Sequence, residues 1–220
     1  MKNKWYAKHY SSLNISADQN SVVFKTLHRL IENEADSTFG SNILEVGSGN
    51  GEHFSFVEKG WNSYTCLDIR SPNRGILKLL RNNKCSFQLG DVHSMPFKSS
   101  TFDRVISTCL FHHLDSPRVA IVELLRVTKV GGQITILLPN DPGFAYRFFR
   151  RLTTLKRVKK SGLQKEYELI HAIEHKNHFL SLLVILQDVI KNHKYTINGF
   201  PFPGIRYNLN FVQIINIRKL

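Results

Sequence analysis

Residues 41–139 alternate short apolar runs with helical spacings, and that rhythm limits the chain more than any other feature. NILEV (42–46), SYTCLD (63–68), CSFQLGD (85–91), FDRVIST (102–108) and QITILLP (133–139) read as five strands. Between them, Glu52–Lys59, Arg74–Asn82 and Pro117–Val127 read as helices, with Val119, Val122, Leu125 and Arg126 carrying the helical spacing of the last. Strands alternating with helices require a parallel sheet with crossovers on both faces, each right-handed. A continuous apolar run such as QITILLP suits a strand covered on both sides. KVGG (129–132) is expected to end the helix before it, because glycine can leave a helix through the left-handed region.

After Pro139 the pattern changes. RFFRRLTTLKRVKK (147–160) holds seven basic residues, and Phe144, Phe148, Leu152 and Leu155 make a single helical stripe. A longer helix is expected over His178–Lys191. KYTINGF (194–200) and NLNFVQIINIR (208–218) then close the chain as a hairpin around the turn-rich PFPGIR. The predicted fold is α/β: a doubly wound, mostly parallel seven-stranded sheet with an antiparallel C-terminal strand and a basic helical insertion. One domain spans 1–220, with a helical cap (1–40), a ligand half (41–139), the insertion and its helix (140–192) and the closing strand pair (193–220).

The chain of 220 residues carries a net charge of +13, distributed unevenly: +4 over residues 1–139 and +9 over 140–220. The basic part is suited to phosphate, acidic glycan, nucleic acid or anionic lipid headgroups, and charge alone does not choose among them. Three readings of 147–160 stay open: a solvated lid, a helix lying on an anionic membrane, or a clamp for a diphosphate. No RNA-recognition module accompanies it, so a nucleic acid is not the expected partner. FLSLLVIL (179–186) is too short to span a bilayer. The N-terminus lacks the apolar core of a secretory signal. Cys66, Cys85 and Cys109 are widely spaced and odd in number, as befits reduced thiols. A cytoplasmic location is expected.

LEVGSGNGEH (44–53) forms the first strand-to-helix junction, where open α/β sheets bind ligands. Its glycines let the main chain turn sharply beside a ligand. Glu52 occupies the sixth place of the loop, which a dinucleotide pyrophosphate disfavours, and no P-loop lysine is present. A cationic ligand inverts that preference and gives Glu45, Asp68 and Asp91, at three successive strand ends, a common purpose. Asp68 could accept a ribose diol and Asp91 face an adenine amino group.

In these segments the chain resembles the class I S-adenosylmethionine-dependent methyltransferases. ILEVGSGNGEH resembles their first motif, CLDIR their ribose-binding acid, GDVHSMPFKSSTFDRVIS the adenine side and ELLRVTKVGGQITILLP the end of the cofactor half. The resemblance implies S-adenosyl-L-methionine as cofactor and Glu45, Gly47, Gly49, Asp68, Ile69, Asp91, Val92 and Thr108 as its contacts. It places STCLFHHLDSP near the transferable methyl, so His112 and His113 are the expected base or orienting groups, with Asp115 as partner.

HAIEH (171–175) fits a metalloprotease pattern, but no third ligand can be named, and no metal is expected. EHKNHFLSLLVILQDVI and FPFPGIRYNLNFVQIINIRK resemble the C-terminal part of methyltransferases of bacterial surface-polysaccharide biosynthesis. That implies a sugar hydroxyl as acceptor, soluble, phosphate-bearing or lipid-linked, with His171, Glu174, His175 and His178 on its side of the pocket. A quinone, lipid or other metabolite is the alternative acceptor. A non-catalytic binding module on the same fold is the alternative outside enzymes.

Overall fold

The computed structural model describes residues 21–36, 42–58, 60–204 and 207–220. Residues 1–20 of the expected cap lie outside it. The elements run α1 (Val22–Asn33), β1 (Asn42–Val46), β2 (Ser63–Asp68), α2 (Arg74–Leu79), β3 (Cys85–Leu89), β4 (Phe102–Thr108), α3 (Pro117–Val127), β5 (Thr128–Pro139), α4 (Phe144–Leu152), α5 (Thr154–Lys160), α6 (Gln164–Glu174), α7 (Phe179–Ile190), β6 (Lys194–Phe200) and β7 (Val212–Arg218). Short 3-10 turns cover His53–Phe56 and Phe111–His113. No helix among the described residues is long and apolar enough to cross a membrane.

The seven strands lie in the order β3-β2-β1-β4-β5-β7-β6. The first five are parallel and the C-terminal pair is an antiparallel hairpin, as the sequence predicts, with β7 inserted between β5 and β6. The order reverses between β1 and β4, which fixes the crevice at the carboxyl ends of those strands. One apolar layer packs α3 and α7 on the sheet through Ile121, Leu124, Leu182 and Leu186, each at most 2% exposed. Burying such a side chain contributes about 1.5–3 kcal/mol. The other layer joins α1 and α2 to the opposite face through Ile31, Ile43, Ile76 and Ile106.

Several expectations are corrected. The helix expected over Glu52–Lys59 shrinks to the single 3-10 turn, because Phe54 packs on Trp61 and Tyr64 while Phe56 packs on Phe24 and His28. In α3 the buried stripe is Ala120, Ile121, Leu124, Leu125 and Val127; Val119 and Val122 face solvent. KVGG does not end a helix: β5 starts at Thr128 and runs through it. Gly131 bends the strand at φ +75°, and a side chain on Gly132 would strike the Asp103 carbonyl at 2.9 Å.

The basic segment is two helices rather than one. Thr153 leaves helical geometry and its hydroxyl donates to the Phe149 carbonyl at 2.7 Å. Phe144, Phe148 and Leu152 are exposed, while Leu155 turns inward with Val158 and Tyr167, so the single stripe is split. The last strand begins at Val212 rather than Asn208, because Asn208 adopts φ +53° and Asn210 is pinned to Phe202 by paired side-chain bonds of 2.7 and 2.9 Å.

Candidate functional site

Strand pleating decides where the acids of the glycine junction point. Glu45 stands opposite Cys66 in the β1–β2 register, so it shares one face with Tyr64, Cys66 and Asp68. It is 2% exposed, and the Tyr64 hydroxyl donates to its Oε2 at 2.8 Å. Burial, with Glu52, Asp68 and Glu32 nearby, pushes its pKa up to about 8 despite the Tyr64 bond. The carboxyl is therefore largely protonated at neutral pH.

Asp68 closes the glycine loop. Its Oδ2 accepts the Gly49 amide and its Oδ1 the Arg70 amide, both at 2.9 Å, and the Arg70 guanidinium lies at 3.2 Å. Gly47 and Gly49 have φ of +69° and +56°, which L side chains rarely adopt. A side chain on Gly47 would meet Leu110 at 2.9 Å, so this turn sits against the loop after β4. Asn73 caps α2 by accepting the amides of Gly75 and Ile76, and its Nδ2 donates to the Gly49 carbonyl at 3.0 Å. That double role was not singled out in the sequence, although an asparagine before a helical run is a recognisable cap.

Beyond β3, the Gly90 amide donates to the Asp68 carbonyl at 3.0 Å, which keeps the third strand end beside the second. Asp91 is half exposed and engaged by His93, through its amide at 2.9 Å and its ring at 2.6 Å. The His93 amide bond, against a smaller effect of burial, holds the Asp91 carboxyl below its usual range. Val92 is buried, whereas Ile69 is 70% exposed at the end of β2 and Thr108 is half-buried at the end of β4. Asp68 at the strand end, the positive-φ glycines and the open apolar Ile69 are the residues that could hold the ribose and base of a nucleoside donor.

A second group of side chains gathers at the ends of β4 and β5. Cys109 turns the chain with φ +50°, and the 3-10 turn after it presents His112 and His113. Asp141 lies two residues past the end of β5. The last turn of α6 brings His171 and His175. Main-chain bonds stitch these pieces together: the His112 carbonyl accepts the amides of Lys176 and Asn177 at 2.8 and 3.2 Å, and the Asp141 carbonyl accepts that of Phe179 at 3.0 Å. His175 Nδ1 donates to Asp141 Oδ2 at 2.9 Å, and His113 Nδ1 donates to the Glu174 carbonyl at 2.9 Å.

Burial drives His112, His113 and His171 toward the neutral form. His112 falls well below its usual pKa, His113 to about 4 and His171 to about 3, with neighbouring positive charge adding to burial in each. Burial works to raise Asp141, but the His175 bond and the nearby His171 and Arg150 hold it down. The expected pair His112 and His113 thus belongs to a larger cluster with His171, His175 and Asp141. Asp115 pairs with Lys176 at the surface, and His178 is exposed. Asp141 gave no signal in the sequence, because only the fold brings it to a helix 30 residues away.

A third polar group braces the site from α1. Glu32 takes both arms of Arg104 at 3.0 and 2.7 Å and the His53 ring at 2.9 Å, and His53 meets His28 at 2.9 Å. His53, fully buried, is two residues past Gly51, so this network fixes the far side of the glycine loop.

Comparison with known proteins follows the same division. Residues 44–136 match the family model described as a methyltransferase domain. A demethylmenaquinone methyltransferase of Renibacterium salmoninarum is 27% identical over 118 residues, covering 53% of this chain and 48% of that protein. A malonyl-[acyl-carrier protein] O-methyltransferase of Erwinia billingiae is 30% identical over 95 residues, covering 43% of this chain and 38% of that protein. The similarity thus spans less than half the length of either relative. Among solved structures, the N-methyltransferase NodS of Bradyrhizobium japonicum, in complex with S-adenosyl-L-homocysteine, superposes with a TM-score of 0.63 at 14% identity over 96% of both chains. The chain thus shares the α/β Rossmann-like fold of the methyltransferases among the solved structures, and its match to a methyltransferase domain covers residues 44–136.

Proposed function

We propose that this chain transfers a methyl group from S-adenosylmethionine to an acceptor hydroxyl. The observation that carries the proposal is Asp68, a nearly buried carboxylate that anchors the Gly49 amide at the point where strand order reverses, 2.9 Å away. Asp68 would receive the ribose, Ile69 and Val92 the adenine with Asp91 at its rim, and Gly47, Gly49 and Thr108 the remaining length of the ligand. Glu45 lies below the loop as a mostly neutral acid that can ionise when positive charge arrives above it. When bound, the cofactor supplies an already activated methyl on a sulfonium, so the chain's task is alignment and exclusion of water.

The acceptor side is assigned to the histidine cluster. His113 is oriented by the Glu174 carbonyl and His175 by Asp141, so these rings hold fixed tautomers toward a bound hydroxyl. The curated relatives above are named for quinone and acyl-carrier substrates, and neither is named for a glycan. A sugar hydroxyl is the finer proposal and rests on the C-terminal resemblance. A phosphate-bearing or lipid-linked carrier for it accords with Phe144 and Phe148, exposed beside the basic residues of 147–160.

Calorimetry with S-adenosylmethionine and S-adenosylhomocysteine tests the donor. Labelled methyl transfer to soluble sugar nucleotides, lipid-linked sugars and quinols tests the acceptor. Absence of binding would end the proposal; transfer only to quinols would end the sugar assignment alone.

A further inference from the structure

The histidine cluster has a property that orientation of a hydroxyl does not require. Three of its ring nitrogens, His112 Nδ1, His171 Nε2 and His175 Nε2, are buried without a hydrogen-bond partner. Leaving a buried polar atom unsatisfied costs about 1–3 kcal/mol, so three in one place call for an explanation.

The tautomer of His113 can be deduced. A carbonyl oxygen only accepts, so His113 Nδ1 must carry the hydrogen it gives to Glu174, and its lone pair lies on Nε2. His175 likewise engages Asp141 Oδ2 through Nδ1, which leaves Nε2, its buried nitrogen without a partner, as the atom it can offer to a ligand. A histidine whose far nitrogen donates to a carboxylate or a carbonyl is the arrangement that orients metal-binding imidazoles.

Ring geometry selects among the four histidines. His112, His113 and His175 are mutually inclined at 45°, 50° and 86°, with centroids 3.9, 4.4 and 5.3 Å apart. Inclined rings can aim lone pairs at one point. His171 is instead stacked on His175 at 3.6 Å and 26°, and its Nε2 lies 3.8 Å from Asp141 Oδ2. Ligand atoms of Asp141, His171 and His175 also lie within 4.8 Å of one another, but two rings stacked face to face run their in-plane lone pairs side by side, so His171 and Asp141 serve as a wall and a brace for His175.

We propose that the imidazoles of His112, His113 and His175 bind one divalent cation of the zinc class, with Asp141 and the Glu174 carbonyl as orienting partners. One ligand atom from each of the three lies within 4.8 Å of the others. Nitrogens around a tetrahedral ion with bonds of about 2.0 Å are roughly 3.3 Å apart, so small rotations of the rings close the site. The three offer imidazole nitrogens only, a set that suits zinc, cobalt or nickel and not magnesium or calcium. Three protein ligands leave a fourth position open, the pattern of ions that take an oxygen ligand. If methyl transfer holds, that oxygen is the acceptor hydroxyl; metal binding itself does not depend on that function.

Full-length protein stripped with a chelator, then titrated with zinc without any cofactor, tests the site. One equivalent should bind and raise the melting temperature. Cobalt(II) should give the intense visible bands of a tetrahedral nitrogen site. His112→Ala and His175→Gln should each weaken binding at least tenfold, while His193→Ala, remote from the cluster, should not. Asp141→Asn should weaken binding less than loss of a ligand does. Should a variant fail to fold, the cobalt spectrum of the parent still decides. Absence of stoichiometric binding, an octahedral cobalt spectrum, or equal losses in the His112 and His193 variants would overturn the site. Loss of binding in His171→Ala with retention in His113→Ala would overturn the ligand assignment. Binding of S-adenosylmethionine, measured separately, keeps this result distinct from that of the donor site.

Discussion

The Tyr64 hydroxyl donates to Glu45 Oε2 at 2.8 Å, in a pocket where both side chains are buried. Glu45 is raised from 4.5 to about 8 by burial and neighbouring acids. The folded state therefore holds a proton the unfolded chain releases across that window, and stability is lost as pH rises through it, at about 1.4 kcal/mol per unit. Glu45→Gln should remove that slope. Its melting temperature relative to the parent should rise between about pH 5 and about pH 8; a constant difference would contradict the burial.

Positive charge bound over the loop should lower Glu45 and expel its proton. Calorimetry of S-adenosylmethionine near neutral pH should give heats that vary with the ionisation enthalpy of the buffer, and the Glu45→Gln variant should lose the variation. Buffer-independent heats in the parent would place the cation elsewhere.

Asp68→Asn keeps shape and removes charge. Hydrogen bonds to a charged group contribute roughly 1.5–3 kcal/mol, so affinity for the cofactor should fall about 10- to 100-fold. Titration showing an unchanged Kd would remove Asp68 from the donor site.

Glu32 pairs with Arg104 almost out of water, with side-chain exposures of 7% and 3%. Removing one partner of such a pair costs about 3–5 kcal/mol, whereas replacing both with apolar residues costs far less. Glu32→Ala should lower the denaturation midpoint sharply, and Glu32→Leu with Arg104→Met should recover part of the loss, His53 still lacking its Glu32 partner. Equal losses would mean the pair does not act as a unit.

Phe144 and Phe148 stack at 6.3 Å with 68% and 56% of their surface exposed. Replacing both with serine should change stability by no more than about 0.5 kcal/mol per site. If they dip into an anionic surface, the same variant should lose cosedimentation with acidic vesicles. Retained cosedimentation would leave the basic residues alone responsible.

The cofactor half could be read in the sequence because its signals are local. Apolar runs, turns and a glycine loop after a strand are set by neighbours in the chain, and β1, β2, β4 and β6 begin and end where the pattern puts them. Several of the failures share one cause, which is that distant packing overrode local preference, while the break at Thr153 and the late start of β7 come from local side-chain bonds. Phe54 and Phe56 pulled their turn to opposite sides, α7 chose which face of α3 to bury, and Tyr167 drew Leu155 out of its stripe. The candidate site divided in the same way. Glu45, Asp68 and the glycines follow from register, whereas Asp141 and His175 meet only because α6 folds back over the end of β5.

The segment after α6 is held to the His112 carbonyl by two amides of its own main chain. Neither attachment depends on which side chains the helix carries. A lineage could therefore rewrite His171, Glu174 and His175, and with them the chemistry offered to an incoming substrate, while the buried Tyr167 keeps the helix in place and the donor platform remains unaltered.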